Sequence, residues 1–222
     1  IFMPFLSVSG TIVILVLLTS LSLIIISKKK YFIQNAILAA LFIIMSFIIN
    51  NEKIMNGTNY LVKDDAISRL EIVPEEIKDN QVQSLLMKIN GSYSSKISLV
   101  DNKSFGYVKF IHDNFIYNLP HNKVHDILIL GAGGFTIGLN DDKNNYTYLD
   151  VEKNLQQISE EKFLKRKLGK NKQFIFQDAY LFMLNDKNKY DLIVVDVYSS
   201  LNSIPLNFVT TNFFTMVKNH LN

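Results

Sequence analysis

Two long apolar stretches occupy the first fifty positions of the chain. Residues 11–27 are nearly all Ile, Leu and Val, and residues 31–49 are interrupted by only three polar side chains. Each stretch approaches the roughly 20 residues that a helix needs to cross a bilayer. The pattern therefore predicts a transmembrane helical hairpin over residues 1–50. Two buried helices of a soluble core are the alternative.

The next part of the chain is more polar and carries short strand-like runs. Residues 51–66 contain an Asn-Gly pair and are predicted to be a linker. Residues 67–125 are predicted to form a small β-rich block, with one short helix at residues 81–89 after Pro74. Its strands are predicted at residues 67–73, 96–100, 106–111 and 115–117. The second and third of these would pair as a hairpin.

From residue 126 onwards, short apolar runs alternate with helical patterns. Strands are predicted at residues 127–130, 146–149, 173–177 and 192–195. The first two are nearly continuous in apolar or aromatic residues, so both of their faces are expected to be buried. Strand–helix alternation predicts a parallel sheet with crossover helices, an α/β fold of the Rossmann-like kind over residues 126–222. A further strand is expected after Asn222, and further membrane helices before Ile1.

A glycine-rich turn follows the first strand of this predicted sheet, with Gly131, Gly133 and Gly134 close together. Glycines between a strand and a helix let the backbone approach a ligand, and an acidic residue about 20 positions later can bind ribose hydroxyls. Asp150 stands at that place. The dinucleotide fingerprint requires a third glycine where this chain has Thr136, so a pyrophosphate is disfavoured. An adenosyl-sulfonium compound carries no phosphate and is favoured; a purely structural turn is the alternative.

Acidic residues also follow the other predicted strands at the same edge of the sheet. Asp150 and Glu152 end the second strand, Asp178 with Ala179 follows the third, and Asp196 follows the fourth. Ligands bind beyond the carboxyl ends of parallel strands, and an unpaired buried carboxylate is costly. By position, Asp150 would hold the ribose, Asp178 would face the adenine, and Asp196 would face the sulfonium or the nucleophile. Ordinary strand ends or helix caps are the alternative.

Composition removes several classes of function. The 222 residues include no cysteine, which excludes disulfides, thiol catalysis and cysteine-ligated metals. The net charge of +3 is matched by the three lysines at positions 28–30, so the remainder is balanced and a nucleic-acid partner is not expected. The four histidines lack metal-ligand spacing, and no metal is predicted. His121 and His125 flank a turn and are interpreted as solvated loop residues.

Several segments together resemble the spermidine synthases. They are residues 131–138, Asp150-Val151-Glu152, residues 177–180 and residues 190–196. The membrane-spanning spermidine-synthase-like proteins are the more similar branch, through residues 196–200, Ile204-Pro205 and residues 211–214. The strand-rich block with Tyr93-Ser94 resembles the N-terminal β-region of the family. The resemblance covers roughly residues 92–222.

This resemblance implies a transferase of polyamine biosynthesis. An aminopropyl group would pass from decarboxylated S-adenosylmethionine to a small-molecule amine, with Asp196 as the catalytic residue. The residues implied to bind the nucleoside are Gly131, Gly133, Gly134, Asp150, Glu152, Asp178 and Ala179. Two acidic positions of the soluble spermidine synthases are Gly134 and Ser199 here, so the acceptor and the occurrence of transfer stay open. An S-adenosylmethionine-dependent methyltransferase and a non-catalytic nucleoside-binding membrane protein are the alternatives, with a nicotinamide oxidoreductase more distant.

The location is predicted from the membrane hairpin and the cofactor together. The lysines at positions 28–30 would face the cytoplasm by the positive-inside rule, which would place the later domain on the other side. Adenosyl cofactors are cytosolic, however. We therefore expect a multi-pass integral membrane protein in contact with lipid, with the nucleoside-binding domain facing the cytoplasm. The resemblance is also compatible with a homodimer.

Overall fold

The computed structural model describes residues 8–26, 32–51, 61–64, 68–198 and 203–222. The chain forms two compact units, Ile1–Leu70 and Glu71–Asn222. In the first unit, α1 (Val8–Ile26) packs against α2 (Phe32–Asn51), and β1 (Leu61–Asp64) follows. Most of the predicted linker lies outside the described residues.

The two apolar stretches are helical, as predicted. Within the residues that the structure describes, no helix meets the combined requirement of length and apolar character for crossing a membrane. The predicted transmembrane hairpin therefore gains no support from the structure.

The second unit begins within β2 (Arg69–Lys78), which is followed in one antiparallel sheet by its neighbour β3 (Gln81–Ile89) and then by β4 (Ser92–Ser98). Two-residue turns join the strands, and both have positive φ throughout: +50° and +61° at Asp79-Asn80, and +52° and +81° at Asn90-Gly91. Such turns favour tight hairpins because their twist matches that of the strands. The helix predicted at residues 81–89 is thus wrong, and β3 pairs antiparallel with β4.

The segment after β4 is helical rather than extended. α3 (Gly106–Ile111) continues into a π-helical turn, His112–Ile116. Val108 and Ile116 are buried in it, eight positions apart, as expected for one face of a helix. The predicted hairpin of residues 96–100 with 106–111 is therefore wrong, since the partner of β4 is β3.

A parallel sheet forms the centre of the second unit. Its strands, in spatial order, are β7 (Lys172–Phe176), β6 (Asn145–Asp150), β5 (Asp126–Leu130) and β8 (Leu192–Val195). All three pairings are parallel, which confirms the predicted sheet. The four apolar residues of β5 are at most 1% exposed, so this strand is buried on both faces as predicted. From β5 the chain adds β6 and β7 on one side of the sheet, and β8 then pairs with the other side of β5. The order of the strands thus reverses between β5 and β8, and open α/β sheets bind ligands at such a point.

Short helices cover this sheet. They are α4 (Leu155–Ile158), continued by a π-helical turn at Ser159–Phe163, then α5 (Ala179–Asn185) and α6 (Thr211–Asn219). Met183 of α5 and Phe213 of α6 pack on Leu128, Leu130 and Leu149 of the two central strands. This packing fixes the strand ends relative to the loops that follow them.

Candidate functional site

The turn after β5 lies against the end of β8. Gly131 has a φ of +90°, which favours glycine, and a Cβ at this position would lie 2.1 Å from the carbonyl oxygen of Asp196. Only a residue without a side chain allows the two strand ends to come this close. Gly131 and Asp196, predicted separately from the sequence, are therefore neighbours at one edge of the sheet.

The same turn is fixed to the antiparallel sheet through Gly134. Its N–H donates a hydrogen bond to Oγ of the buried Ser95 on β4, at 2.8 Å. A Cβ at Gly134 would lie 2.3 Å from Cε1 of Phe163 and 2.8 Å from Cβ of Ser95, whereas one at Gly133 would lie 2.8 Å from Oγ of Ser95. The glycine at position 134 thus fills a place that has no room for an acidic side chain.

Other backbone N–H groups in this region are also bonded within the protein. Ala132 N–H donates to Oδ2 of Asp150 at 3.1 Å, and Gly138 N–H donates to Nε2 of His112 at 2.9 Å. Residues 131–144, all of which the structure describes, contain turns and no helix. The helix expected after the glycines is therefore absent, because the chain turns again at Gly138 with a φ of +73°. A phosphate cradle needs free N–H groups at a helix start. Residues 131–144 contain no helix, and the N–H groups of Ala132, Gly134 and Gly138 are already bonded to side chains.

Phe135 holds the turn in the core at the cost of an unfavourable backbone. Its φ is +59°, which is rare for a bulky residue, and its side chain is fully buried. The ring lies edge-on to Tyr148 and Phe174, at centroid distances of 5.1 and 5.5 Å. Such strain persists only where the surroundings over-determine the conformation. The burial of the ring therefore stabilises the shape of the glycine turn.

Asp150 connects the end of β6 to this turn. Besides the N–H of Ala132, its carboxylate accepts the N–H of Glu152 at 3.1 Å. Burial raises the pKa of Asp150, while these backbone hydrogen bonds act in the opposite direction. Glu152 is itself buried, and its Oε1 accepts the N–H of Asn154 at 3.3 Å. The backbone N–H groups of Val151 and Gly133 also hydrogen-bond to this carboxylate, so Asp150 is the common acceptor of the strand end and of the glycine turn.

Asp178, which follows β7, has the helix-capping role that the sequence analysis gave as the alternative to ligand binding. Oδ1 of Asp178 accepts the N–H of Leu181 at 2.9 Å, so Asp178 is the N-cap of α5. Its side chain is nevertheless exposed, and Ala179 is buried as the first residue of the helix. Capping uses one carboxylate oxygen and leaves the predicted contact with adenine untested.

The end of β8 brings in a residue that the sequence analysis did not identify. The hydroxyl of Tyr107 on α3 donates to Oδ2 of Asp196 at 3.0 Å. Burial raises the pKa of Asp196, and the hydrogen bond from Tyr107 lowers it; partial burial and the neighbouring Asp196 raise the pKa of Tyr107 above its usual range. Ser199, the other position considered at this strand end, lies outside the described residues.

One histidine prediction is wrong. His125 is only 1% exposed, with Nδ1 3.1 Å from Oδ2 of Asp191 and Nε2 2.8 Å from the carbonyl oxygen of Pro120. His125 directly precedes β5, at the end of the strand opposite the glycine turn, and so has a structural role away from the candidate site. His121 is exposed, as predicted.

Residues far apart in sequence complete the candidate site. Ser95, Tyr107 and His112 contact it from β4, α3 and the following π-helical turn. Ser95 directly follows the Tyr93-Ser94 pair, whereas Tyr107 and His112 stand in no motif that the sequence analysis identified. Within the described ranges, no group of three or more potential ligands could hold a metal ion.

Comparison with known proteins supports the fold. No family model matches the chain, and no curated protein matches it. A probable spermidine synthase from Corynebacterium glutamicum superposes with a TM-score of 0.60 at 23% identity, covering 76% of this chain and 61% of that one. A spermidine synthase in complex with the transition-state analogue AdoDATO superposes with a TM-score of 0.55 at 15% identity, covering 74% and 55% respectively.

The chain thus spans about three fifths of the length of these two solved structures. Two methyltransferases also match, at TM-scores of 0.42 and 0.31. At these identities the likeness shows the fold. The second unit has the α/β, Rossmann-like fold found in spermidine synthases, as the sequence predicts.

Proposed function

We propose that this domain binds an adenosyl-sulfonium compound and transfers an aminopropyl group from decarboxylated S-adenosylmethionine to an amine. The proposal is based on the hydrogen bonding of the turn after β5 and on the absence of a helix in the residues that follow it. Asp150, Ser95 and His112 accept three of its N–H groups, and no helix follows it in residues 131–144. Such a turn suits a ligand that has a ribose and lacks a pyrophosphate.

On the nucleoside side, Asp150 would accept the ribose hydroxyls. It lies next to the glycine turn, where Gly131 and Gly133 let the backbone approach the ligand. Glu152 supports this strand end from a buried position. Asp178 and Ala179 would border the adenine at the start of α5. The likeness to the spermidine synthase in complex with AdoDATO supports the choice of ligand class.

On the acceptor side, Asp196 would act as the general base. In the proposed step the amine nitrogen bonds to the carbon next to sulfur, and the carbon–sulfur bond breaks with its electron pair leaving on methylthioadenosine. The nitrogen then loses one proton to Asp196. A carboxyl group whose pKa is raised by burial is better matched to this proton transfer than an exposed one. Tyr107 would hold Asp196 in position through its 3.0 Å hydrogen bond.

Methyl transfer from S-adenosylmethionine is the second candidate. It is favoured by the packing around Gly134, which leaves no room for the acidic side chain that soluble spermidine synthases carry at the matching position. With one carboxylate fewer, the site is less suited to a polyamine. It would still bind the nucleoside part that both donors share.

The test is calorimetric titration of the full-length protein in detergent with S-adenosylmethionine, its decarboxylated form and methylthioadenosine. We expect micromolar binding that is lost in Asp150→Asn and kept in Asp142→Asn, a matched change at a side chain that is 91% exposed. Preference for the decarboxylated donor supports aminopropyl transfer, and preference for S-adenosylmethionine supports methyl transfer. Absence of binding by all three compounds to the folded protein would refute both.

Membrane attachment, a cytoplasmic site and a homodimer remain predictions. They are independent of the chemistry proposed above. Alkaline extraction of membranes tests attachment, protease accessibility in sealed vesicles tests which side the domain faces, and sedimentation analysis tests the dimer.

A further inference from the structure

His112 has a position in the structure that the chemistry above does not use. It lies in the π-helical turn after α3, and its Nε2 is 2.9 Å from the N–H of Gly138. Since an N–H can only donate, Nε2 must be the acceptor and carries no proton. The ring is therefore neutral, with its proton on Nδ1.

Gly138 has little freedom to move away from this contact. Its φ is +73°, and a Cβ at this position would lie 2.2–2.7 Å from three ring atoms of Tyr146. The preceding carbonyl, that of Ile137, accepts the hydroxyl of Tyr148 at 2.7 Å. Residues 135–138 are thus held by β6 on one side, and His112 provides the acceptor from outside the parallel sheet.

We infer that His112 is a positioning residue for the glycine turn of residues 131–138. It holds this turn through the N–H of Gly138, and only while its imidazole is neutral. This inference rests on the proposed nucleoside binding. When the imidazole gains a proton, Nε2 becomes a donor that faces another donor. The hydrogen bond is then lost, and residues 131–138 lose the contact that joins them to the helical segment of residues 106–116.

Two carboxylates lie near the imidazole of His112. Partial burial lowers the pKa of His112, while Asp141 from the turn after Gly138 and Asp113 from its own segment act in the opposite direction. Asp113 is paired with Lys109, and Asp141 accepts hydrogen bonds from Tyr146 and Asn144. Tyr117 lies edge-on to the ring at 5.6 Å. Because the folded pKa lies below the unfolded one, the neutral state is secure above the ordinary histidine range and is lost as pH falls through the folded pKa.

Two substitutions distinguish the role of Nε2 of His112 as a hydrogen-bond acceptor from the effect of protonating its imidazole. His112→Gln keeps a side-chain acceptor and does not titrate, and His112→Phe keeps an aromatic ring without an acceptor. His121→Gln applies the same change to an exposed histidine and serves as the control. Folding of each variant is checked by near-ultraviolet circular dichroism.

The first readout needs no ligand. The amide resonance of Gly138 in the ¹⁵N-labelled protein should shift with pH in the unmodified protein and in His121→Gln, and stay constant in His112→Gln. The second readout is the Kd for methylthioadenosine between pH 5 and 8. Binding should weaken about tenfold towards low pH in the unmodified protein, stay constant in His112→Gln, and be weak at every pH in His112→Phe.

An unchanged pH profile in His112→Gln, or tight binding by His112→Phe, would overturn the inference. If the unmodified protein binds no adenosyl compound, the proposed function fails and the effect on affinity falls with it. The Gly138 resonance still decides whether the proton on His112 controls the turn, so the two failures are distinguishable.

Discussion

A side chain at position 134 should destabilise the protein, because this glycine is closed in by fixed neighbours. A Cβ would lie 2.3 Å from Cε1 and 2.9 Å from Cδ1 of Phe163, and 2.8 Å from Cβ of Ser95. Phe163 is fully buried, so its ring cannot swing into solvent. Gly134 is not among the residues with positive φ, so the expected cost is steric. Overpacking of this kind costs about 1–3 kcal/mol, and loss of the hydrogen bond from Gly134 N–H to Ser95 adds about 1 kcal/mol.

We therefore expect Gly134→Ala to lower the free energy of unfolding by about 2–4 kcal/mol. The measurement is chemical denaturation followed by circular dichroism. Gly106→Ala is the matched control, because nothing lies within 4 Å of a Cβ there and the residue begins α3. That control should be neutral or slightly more stable, since alanine favours a helix over glycine by about 1 kcal/mol.

Stability of Gly134→Ala within about 0.5 kcal/mol of the unmodified protein would refute this reasoning. So would an equal loss in Gly106→Ala. The result also bears on function. If Gly134→Ala is unstable, Gly134→Asp cannot restore an acidic group at this place, and the acceptor side of the site must work without it.

Two further predictions concern the ends of the parallel strands. Tyr107→Phe removes a hydrogen bond that lowers the pKa of Asp196, so that pKa should rise, and the acid limb of the kcat/KM profile should move to higher pH because the base must be deprotonated. An acid limb that does not move contradicts the assigned role of Tyr107. Phe135→Gly should be about 1 kcal/mol more stable than Phe135→Ala in thermal unfolding, because alanine keeps the strain of the positive φ and glycine does not. Equal stability of the two variants would mean that the backbone at this position is not strained.

The antiparallel part of the second unit shows where local pattern was insufficient. The sequence pattern favours a helix at residues 81–89, which form β3 in the structure, and an extended segment at residues 106–111, which form α3. In each case the segment is short and its own preference is weak. Tertiary contacts decided which structure each segment adopts. β3 pairs with β2 and β4 in a sheet, and α3 buries the side chain of Val108.

The parallel sheet could be predicted because its signals are local. Continuous apolar runs mark strands that are buried on both faces, and glycines or aspartates mark their carboxyl ends. The spacing from Gly131 to Asp150 predicts that the glycine turn and this aspartate lie together. They do, since the N–H of Ala132 donates a hydrogen bond to Asp150. The sequence by itself thus determined the Rossmann-like fold and the edge at which the candidate site lies.

The tertiary structure decided which other groups reach that edge. Tyr107 contacts Asp196 across 89 positions, Ser95 contacts Gly134 across 39, and His112 contacts Gly138 across 26. The structure also decided that no helix follows the glycines and that position 134 has no room for a side chain. The physical reason is that each of these contacts depends on distances between separately folded segments. Local periodicity carries no information on such distances.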